Sequence, residues 1–329
     1  RHKALAPYLF DAGGLADPHL VVKEESRPIN GMPRLKTGVQ MIDNGIFTFK
    51  HDEYLSFISE EPGAKDLFRK YIGGDEYING FYRWILYLVD ATAVQLRSLP
   101  KVRNKIKDVR EYRKKSNRLS TIAMSEYPTK LGVDERLKVP YLVLPNTSSE
   151  RREYIPIGWL DPEVVANQKL RILADATRWH FALLTSAMHM AWMRATTGRM
   201  KSDYMYSVGV VYNTFPLPPV SADEMERALT PHAEAVLAAR ASHPHATLAD
   251  LYDPLTMPPD LRRAHTALDR AVDRLYRRQG FASERERVEH LFMLYEKLQA
   301  PLTAAAAVKP KRRRRKGGAA NAKADGGPG

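Results

Sequence analysis

The stretch from Leu183 to Pro218 constrains the fold most strongly, because its apolar period changes in the middle. From Phe181 to Trp192 the apolar residues recur at the spacing of one helix face. From Tyr204 to Tyr212 they alternate, which is typical of a strand with one buried face. The sequence therefore predicts a helix followed by a strand, with a turn between them.

The turn and the strand start carry three charged residues: Arg199, Lys201 and Asp203. In an extended chain Lys201 and Asp203 would point the same way, roughly 7 Å apart. Lysine can donate to O6 and N7 of guanine, and aspartate can accept from the N4 amine of cytosine. The spacing therefore fits readout of a G·C base pair, although a solvated ion pair at a strand start is its commoner meaning.

A second basic segment is predicted to be helical. Residues 101–118 contain nine Lys and Arg residues against two acids, with Val102, Ile106 and Val109 as an apolar stripe. Such a helix either presents a solvated face or contacts DNA phosphates, which position a protein without specifying sequence. The candidate phosphate contacts are Arg110, Arg113 and Lys114.

A hydroxyl- and arginine-rich loop precedes a predicted strand at residues 154–157. Its candidate DNA contacts are Ser148, Ser149, Arg151 and Arg152, and Ser207 is added from the strand after the turn. In the alternative interpretation Glu150 pairs with one arginine and Ser148 caps a turn. The residues alone leave both interpretations open.

Composition excludes several functions. There are no cysteines, which removes disulfides, zinc–thiolate sites and thiol catalysis. No apolar run is long enough to span a membrane, so we expect no membrane partner. The formal net charge is +13, of which residues 301–329 contribute +7. This Ala-, Gly- and Lys/Arg-rich tail is predicted to be disordered, and its basic run fits a nuclear localisation signal or a polyanion tether.

The remaining pattern indicates an α+β fold. A helix is predicted over residues 162–176, before the stretch that changes period. After Pro219 the composition shifts to Ala, Leu, Arg and Glu, and helical stripes with a capping box at Ser283 and Glu286 predict a small all-α domain. The chain begins with Arg1, so we expect it to belong to a longer protein.

Several segments, in the same order, carry a family resemblance. They are GGDEYINGFYRWILYL at 73–88, SSERREYIPIGWL at 148–160 and the period-changing stretch at 183–218. Together they closely resemble the C-terminal part of the MmeI-like restriction–modification proteins (type IIL/IIG) and their DNA adenine methyltransferase relatives. The resemblance extends to about Ala300. The family often has an arginine where this chain has Met205, which removes one possible DNA contact.

The resemblance implies a domain plan. Residues 1–25 would end the methyltransferase domain or link to it, 26–219 would form a mixed β/α DNA target-recognition domain, 220–300 a helical domain and 301–329 the tail. It also implies double-stranded DNA and the methyltransferase domain of the same polypeptide as partners. S-adenosylmethionine would bind upstream, and the whole protein would methylate adenine N6, with or without a nuclease, in the bacterial cytoplasm.

The chain lacks the motifs of the chemistry itself. Neither a glycine-rich cofactor loop nor an Asn/Asp-Pro-Pro-aromatic motif occurs, so we expect no catalytic residue, cofactor site or metal site here. Two alternatives stay open: a separate specificity subunit that acts in trans, and a protein-interaction scaffold whose basic faces meet acidic proteins.

Overall fold

The computed structural model describes residues 4–135 and 137–308. In these residues the strands are β1 (Lys36–Thr37), β2 (Thr48–Phe49), β3 (Phe68–Ile72), β4 (Arg83–Leu86), β5 (Tyr141–Pro145), β6 (Thr147–Ser148), β7 (Gly158–Leu160), β8 (Val164–Ala166), β9 (Leu170–Leu173), β10 (Gly198–Met200) and β11 (Asp203–Met205). The α-helices are α1 (His51–Glu60), α2 (Gly74–Asn79), α3 (Ala93–Arg97), α4 (Pro100–Lys114), α5 (Leu119–Ala123), α6 (Arg178–Leu184), α7 (Ala187–Thr196), α8 (Ala222–Ala241), α9 (Leu248–Leu251), α10 (Pro259–Tyr276) and α11 (Glu284–Val308). The predicted α+β class is confirmed.

The first sheet, with strand order β1-β9-β5-β7, is built on β5, which is buried along its whole length. Successive side chains of a strand point to opposite faces, and β5 uses both. Leu142 and Leu144 enter the largest hydrophobic core, whereas Tyr141 and Val143 enter a small core on the other face. β5 therefore lies between these two hydrophobic cores.

The second sheet, with order β2-β4-β3-β8, belongs to a lobe with its own core. Aromatic rings dominate that core: Tyr54 stacks on Trp84 at 4.0 Å between centroids, and Phe49 meets Phe68 edge-on at 5.1 Å. Val102 and Val109 of α4 are fully buried in it, as the predicted stripe requires. The basic helix is confirmed, and its apolar side faces this lobe.

The helix predicted over residues 162–176 is wrong. The segment forms β8, which runs parallel to β3, and β9, which pairs with β5. The β-branched pair Val164–Val165 and the alternation of Leu170 and Ile172 favour strands, and pairing with β3 and with the buried β5 stabilises them. The strand predicted at 154–157 is also wrong, because the paired residues begin at Gly158.

The helix predicted from Phe181 to Trp192 is two helices. The Ser186 hydroxyl accepts a hydrogen bond from the His189 amide and caps the N-terminus of α7. The preceding helix, α6, has already ended at Leu184. Both helices are apolar almost all round, and they lie in the centre of the largest core. A helix without a polar face needs neighbours on every side.

The C-terminal helices supply some of those neighbours. Residues of α8, α10 and α11 share the largest core with α6 and α7, so the segments before and after the predicted boundary at residues 219 and 220 pack into one hydrophobic core. The N-terminal residues join it as well, where the Phe10 ring lies 4.7 Å from that of Phe292. Among the described residues up to residue 25, the β-pairing is limited to one bridge between Leu5 and Asp11.

The last helix extends to Val308, beyond the residue at which the sequence predicts the tail to begin. Four consecutive alanines at 304–307 have the highest helix propensity and account for this extension. The basic run of the tail lies outside the described residues.

Arg113 corrects one predicted DNA contact. Its side chain is fully buried and donates five hydrogen bonds to backbone carbonyls of Met41, Ile42, Met124, Tyr127 and Lys130. Burial lowers the pKa of the guanidinium, and the nearby Asp43 carboxylate opposes that effect. Arg113 therefore fastens loops of its lobe and is not placed to contact phosphate.

We expect Arg113→Ala to lower the free energy of unfolding by about 3 kcal/mol, because it leaves buried carbonyls without donors. Arg110→Ala, at an exposed position on the same helix, is the matched control and should change it by less than about 0.5 kcal/mol. Urea unfolding of both variants measures the difference. Equal, small effects would contradict the structural role of Arg113.

Candidate nucleic-acid interface

A short hairpin holds the predicted base-reading residues. β10 and β11 pair with Met200 opposite Asp203, and Lys201 and Ser202 form the turn. Lys201 has a φ of 57°, in the left-handed region. The expectation that Lys201 and Asp203 lie in one extended strand is therefore wrong: Lys201 is at the exposed tip, and Asp203 opens the return strand.

The predicted long strand ends soon after the hairpin. Val208–Tyr212 forms one turn of π-helix, which Ser207 caps by accepting a hydrogen bond from the Val210 amide. The consecutive residues Val211 and Tyr212 enter the core from this turn, so the predicted alternation of buried and exposed positions does not hold here. Ser207 is partly buried and its hydroxyl serves this cap.

A distant segment completes the third sheet, with order β10-β11-β6. β6 pairs with β11, which places Ser148 opposite Tyr204. The Ser148 side chain is buried, so it does not reach the surface and the predicted DNA contact is not supported by its position. Ser149 is partly exposed and accepts from the Arg151 amide, which turns the chain after β6.

The loop after β6 brings Arg152 to the hairpin. Burial lowers the pKa of Arg152, and the carboxylates of Asp203 and Asp253 oppose that effect. Arg151 is exposed, with its Nη2 3.8 Å from Asp253 Oδ2. The Asp203 carboxylate therefore interacts electrostatically with Arg152, which follows β6. Sequence spacing does not predict this neighbour.

Arg199 is held on the hairpin surface. Its guanidinium lies 4.4 Å from the centroid of the Tyr204 ring, its cross-strand neighbour, and donates to the Ser202 carbonyl at 3.0 Å. Glu150 Oε2 is 3.4 Å away. The side chain is still half exposed, so it can exchange these contacts for a ligand.

A cleft of about 760 Å³ adjoins this sheet. Met200 and Met205 of the hairpin line one side and are about half exposed. Cations from elements distant in sequence line the cleft with them: Arg34, Lys169 and Arg171. Glu24 and Glu25 also line it, so the cleft mixes both signs of charge.

The hairpin is anchored to the core directly beneath it. Tyr206 follows β11, and its hydroxyl lies 2.9 Å from His189 Nε2 on α7. Both side chains are buried, and burial lowers the pKa of His189 to about 3. His189 is therefore neutral at physiological pH and acts as a structural partner of Tyr206.

The phosphate-contact candidates of the basic helix lie elsewhere. Arg110 and Lys114 are exposed on α4, in the lobe of the second sheet, and Lys114 pairs with Glu111 at 3.1 Å. The structure thus brings Ser149, Arg151, Arg152, Arg199, Lys201 and Asp203 together at the third sheet. It leaves Arg110 and Lys114 on a separate surface.

Comparison with known proteins identifies the family. The family model for the MmeI target recognition domain matches residues 16–219, and that for the MmeI C-terminal domain matches residues 220–303. The chain belongs to the MmeI family. Two relatives show how much of a whole protein it represents.

DNA methyltransferase A of Bacillus subtilis (strain 168) is 35% identical over 297 residues, which are 89% of this chain and 33% of the relative. A solved structure of the type IIL restriction–modification enzyme MmeI in complex with DNA superposes with a TM-score of 0.85 at 37% identity, over 91% of this chain and 39% of that one. The chain therefore spans well under half the length of either relative.

Sequence reasoning missed the far cations of the cleft. Arg34 lies outside the predicted elements, and Lys169 and Arg171 lie in the segment mispredicted as a helix. Correct recognition of β8 and β9 would have placed Lys169 in a tight connection between strands. The proximity of Lys169 to the hairpin depends on tertiary contacts, which no local sequence pattern predicts.

Two kinds of feature are absent from the described residues. No helix there is long and apolar enough to cross a membrane. No group of three or more His, Asp or Glu side chains in that part of the chain is arranged to hold a metal ion.

Buried histidines predict a pH dependence of stability. Burial lowers the pKa of His180 to about 4 and of His189 to about 3, and it places that of His265 well below its usual value. Below about pH 6.5 these histidines bind protons in the unfolded chain but stay neutral in the folded protein. The free energy of unfolding therefore decreases as the pH falls, by up to about 1.4 kcal/mol per pH unit for each histidine. Burial raises the pKa of Asp269 to about 6, which offsets part of this loss as its carboxyl binds a proton.

We therefore expect the urea midpoint to fall between pH 7 and pH 5. His189→Gln should make the urea midpoint fall less, by the contribution of one histidine, because glutamine does not titrate. A midpoint that stays constant or rises as the pH falls would contradict the burial of neutral histidines.

Proposed function

We propose that this chain is the part of a DNA adenine methyltransferase that recognises the target sequence. The observation that best supports this proposal is the third sheet, which brings two distant segments, 147–152 and 198–205, to one side of a partly basic cleft. Membership of the MmeI target recognition family supports DNA as the ligand.

The hairpin has the shape and groups for a major groove. That groove accepts a two-stranded ribbon, and it distinguishes all four base pairs by their donors and acceptors. Lys201 at the tip offers donors to guanine, and Asp203 offers an acceptor to cytosine. Arg199 is the third candidate for base readout, because its guanidinium is half exposed beside them.

Backbone contacts would come from around the hairpin. Arg151 and Arg152 follow β6, and Arg152 compensates Asp203 in the free protein. Arg110 and Lys114 on α4 provide a second, sequence-independent contact.

The chemistry is assigned to the rest of the protein. The relatives extend well beyond this chain, and we propose that the upstream part binds S-adenosylmethionine and the flipped adenine. This chain would bind and orient the duplex for that step. Its partners are therefore double-stranded DNA and the methyltransferase domain of the same polypeptide.

The sharpest test is a charge exchange in the hairpin. Lys201→Glu with Asp203→Arg should change the preferred base pair at one position from G·C to C·G, because glutamate accepts from cytosine and arginine donates to guanine. Long-read detection of methyladenine in cells that express the full-length gene, against a deletion strain, measures the motif. An unchanged motif in the double variant would refute the assignment of these two residues.

A matched exchange controls for altered charge. Arg285 and Glu289 form an exposed pair at 2.9 Å on α11. Arg285→Glu with Glu289→Arg preserves net charge in the same way and should leave the motif unchanged. Absence of any new methylation from the unmodified, expressed gene would count against the proposed function as a whole.

A second prediction concerns α4. Arg110→Gln with Lys114→Gln should weaken binding to every duplex alike and reduce the slope of log K against log salt by about 1.8, if both side chains contact phosphates. Fluorescence anisotropy at several salt concentrations, on duplexes with and without the motif, measures this. Arg227→Gln, an exposed cation on α8, is the control and should leave the slope unchanged.

The same assay separates DNA recognition from a scaffold role. A protein-interaction scaffold would bind DNA weakly through its basic tail and would lose that binding on truncation after Ala300. Sequence-specific binding that survives the truncation supports recognition by the folded part.

A further inference from the structure

The loop that carries Arg151 and Arg152 is fixed from behind by the C-terminal helices. Arg262 on α10 lies 3.1 Å from the Glu153 carboxylate, and the Tyr154 hydroxyl donates to Asp269 Oδ2 on the same helix at 2.6 Å. The ring of Tyr154 also stacks on His265 at 4.1 Å. Residues 151–154 therefore take part of their position from the C-terminal domain, and the Glu153 carbonyl also accepts from Arg194 of α7 at 2.8 Å.

Asp269 has a second bond that reaches the hairpin side. Its Oδ1 accepts from the Ala187 amide at 2.7 Å, at the N-terminus of α7. α7 ends at Thr196, directly before β10. A carboxylate at this end of the helix satisfies a free amide and interacts favourably with the helix dipole.

One side chain thus joins the two segments that form the third sheet. The 147–154 segment is held through the Tyr154 hydroxyl, and the segment from α7 to β11 is held through the Ala187 amide. Burial raises the pKa of Asp269 to about 6, so retention of a carboxylate here has a cost. An apolar residue would avoid that cost but could bridge neither segment.

We propose that Asp269 is a positioning residue for base recognition, which sets the loop of Arg151 and Arg152 relative to the hairpin of Lys201 and Asp203. This inference rests on the proposed function. It gives the C-terminal domain a part in sequence discrimination that requires no contact of Asp269 with DNA. Discrimination depends on the relative placement of the two segments, because direct readout needs hydrogen-bonding groups held in fixed geometry.

The test is Tyr154→Phe in the full-length protein, which removes one hydroxyl and keeps the buried ring. The measurement is the ratio of adenine methylation at the motif to methylation at sites that differ by one base pair, with the melting temperature recorded alongside. We expect the ratio to fall about three- to tenfold, a typical effect for coupled neighbours. The loss should appear as methylation at wrong sites, at unchanged protein level.

Tyr276→Phe is the matched control. Tyr276 is equally buried on α10, and its hydroxyl donates to the Pro216 carbonyl at 2.8 Å, without a bond to the loop or to α7. It should lose stability like Tyr154→Phe but keep the discrimination ratio. Asp269→Asn, which replaces one of the two accepting oxygens by an NH2 group, should lower the ratio further.

The outcomes are distinct. The positioning role is overturned if the ratio is unchanged in Tyr154→Phe or is lowered equally in Tyr276→Phe. The proposed function stands in either case. If Asp269→Asn does not fold, Tyr154→Phe still decides. If the unmodified protein methylates no motif, the proposed function fails first, and the positioning role fails with it.

Discussion

The complete burial of α7 determines most of the architecture. Met188 and Trp192 are fully buried, and so is His189 between them on the helix, so no side of α7 is left for solvent along these turns. Trp192 alone contacts two distant parts of the chain: its indole donates to the Val211 carbonyl at 3.2 Å, and its ring lies 5.1 Å from Phe292. Because a helix of this kind must be enclosed, the target recognition segment and the C-terminal helices are packed as one body.

This enclosure gives the hairpin a rigid base. The exposed hairpin has only eight residues between Gly198 and Met205, and an isolated two-stranded hairpin is marginally stable in water. Here α7 leads directly into it, Tyr206 fastens its end to His189, and β6 adds a third strand. Specific recognition depends on such support, because a loosely held donor pays for its ordering at the moment of binding.

The sequence predicted what short-range periodicity controls. α4 and α10 follow their apolar stripes, and the period change located the central helical region and the strand that begins at Asp203. It failed where two structures share one local pattern. The alternation of Val208, Val210 and Tyr212 predicted a strand, whereas the π turn buries the consecutive residues Val211 and Tyr212, and the segment of β8 and β9 forms strands that pair with β3 and β5. The left-handed φ of Lys201 has no signature in the residue itself, since lysine has no preference for that region.

The charge pattern shows the same limit more sharply. Arg110 and Arg113 lie three residues apart on one basic helix, yet one is exposed and the other donates to five backbone carbonyls. Arg287, bonded to the buried Asp273, and Arg240, bonded to Tyr252 and the Ile157 carbonyl, are likewise occupied within the protein. A net charge of +13 therefore overstates the cations available to a polyanion, and the tail contributes +7 of it without a sequence preference. Under the proposed function, attraction to DNA would follow total charge, whereas recognition of a sequence would depend on a few groups whose positions the buried core fixes.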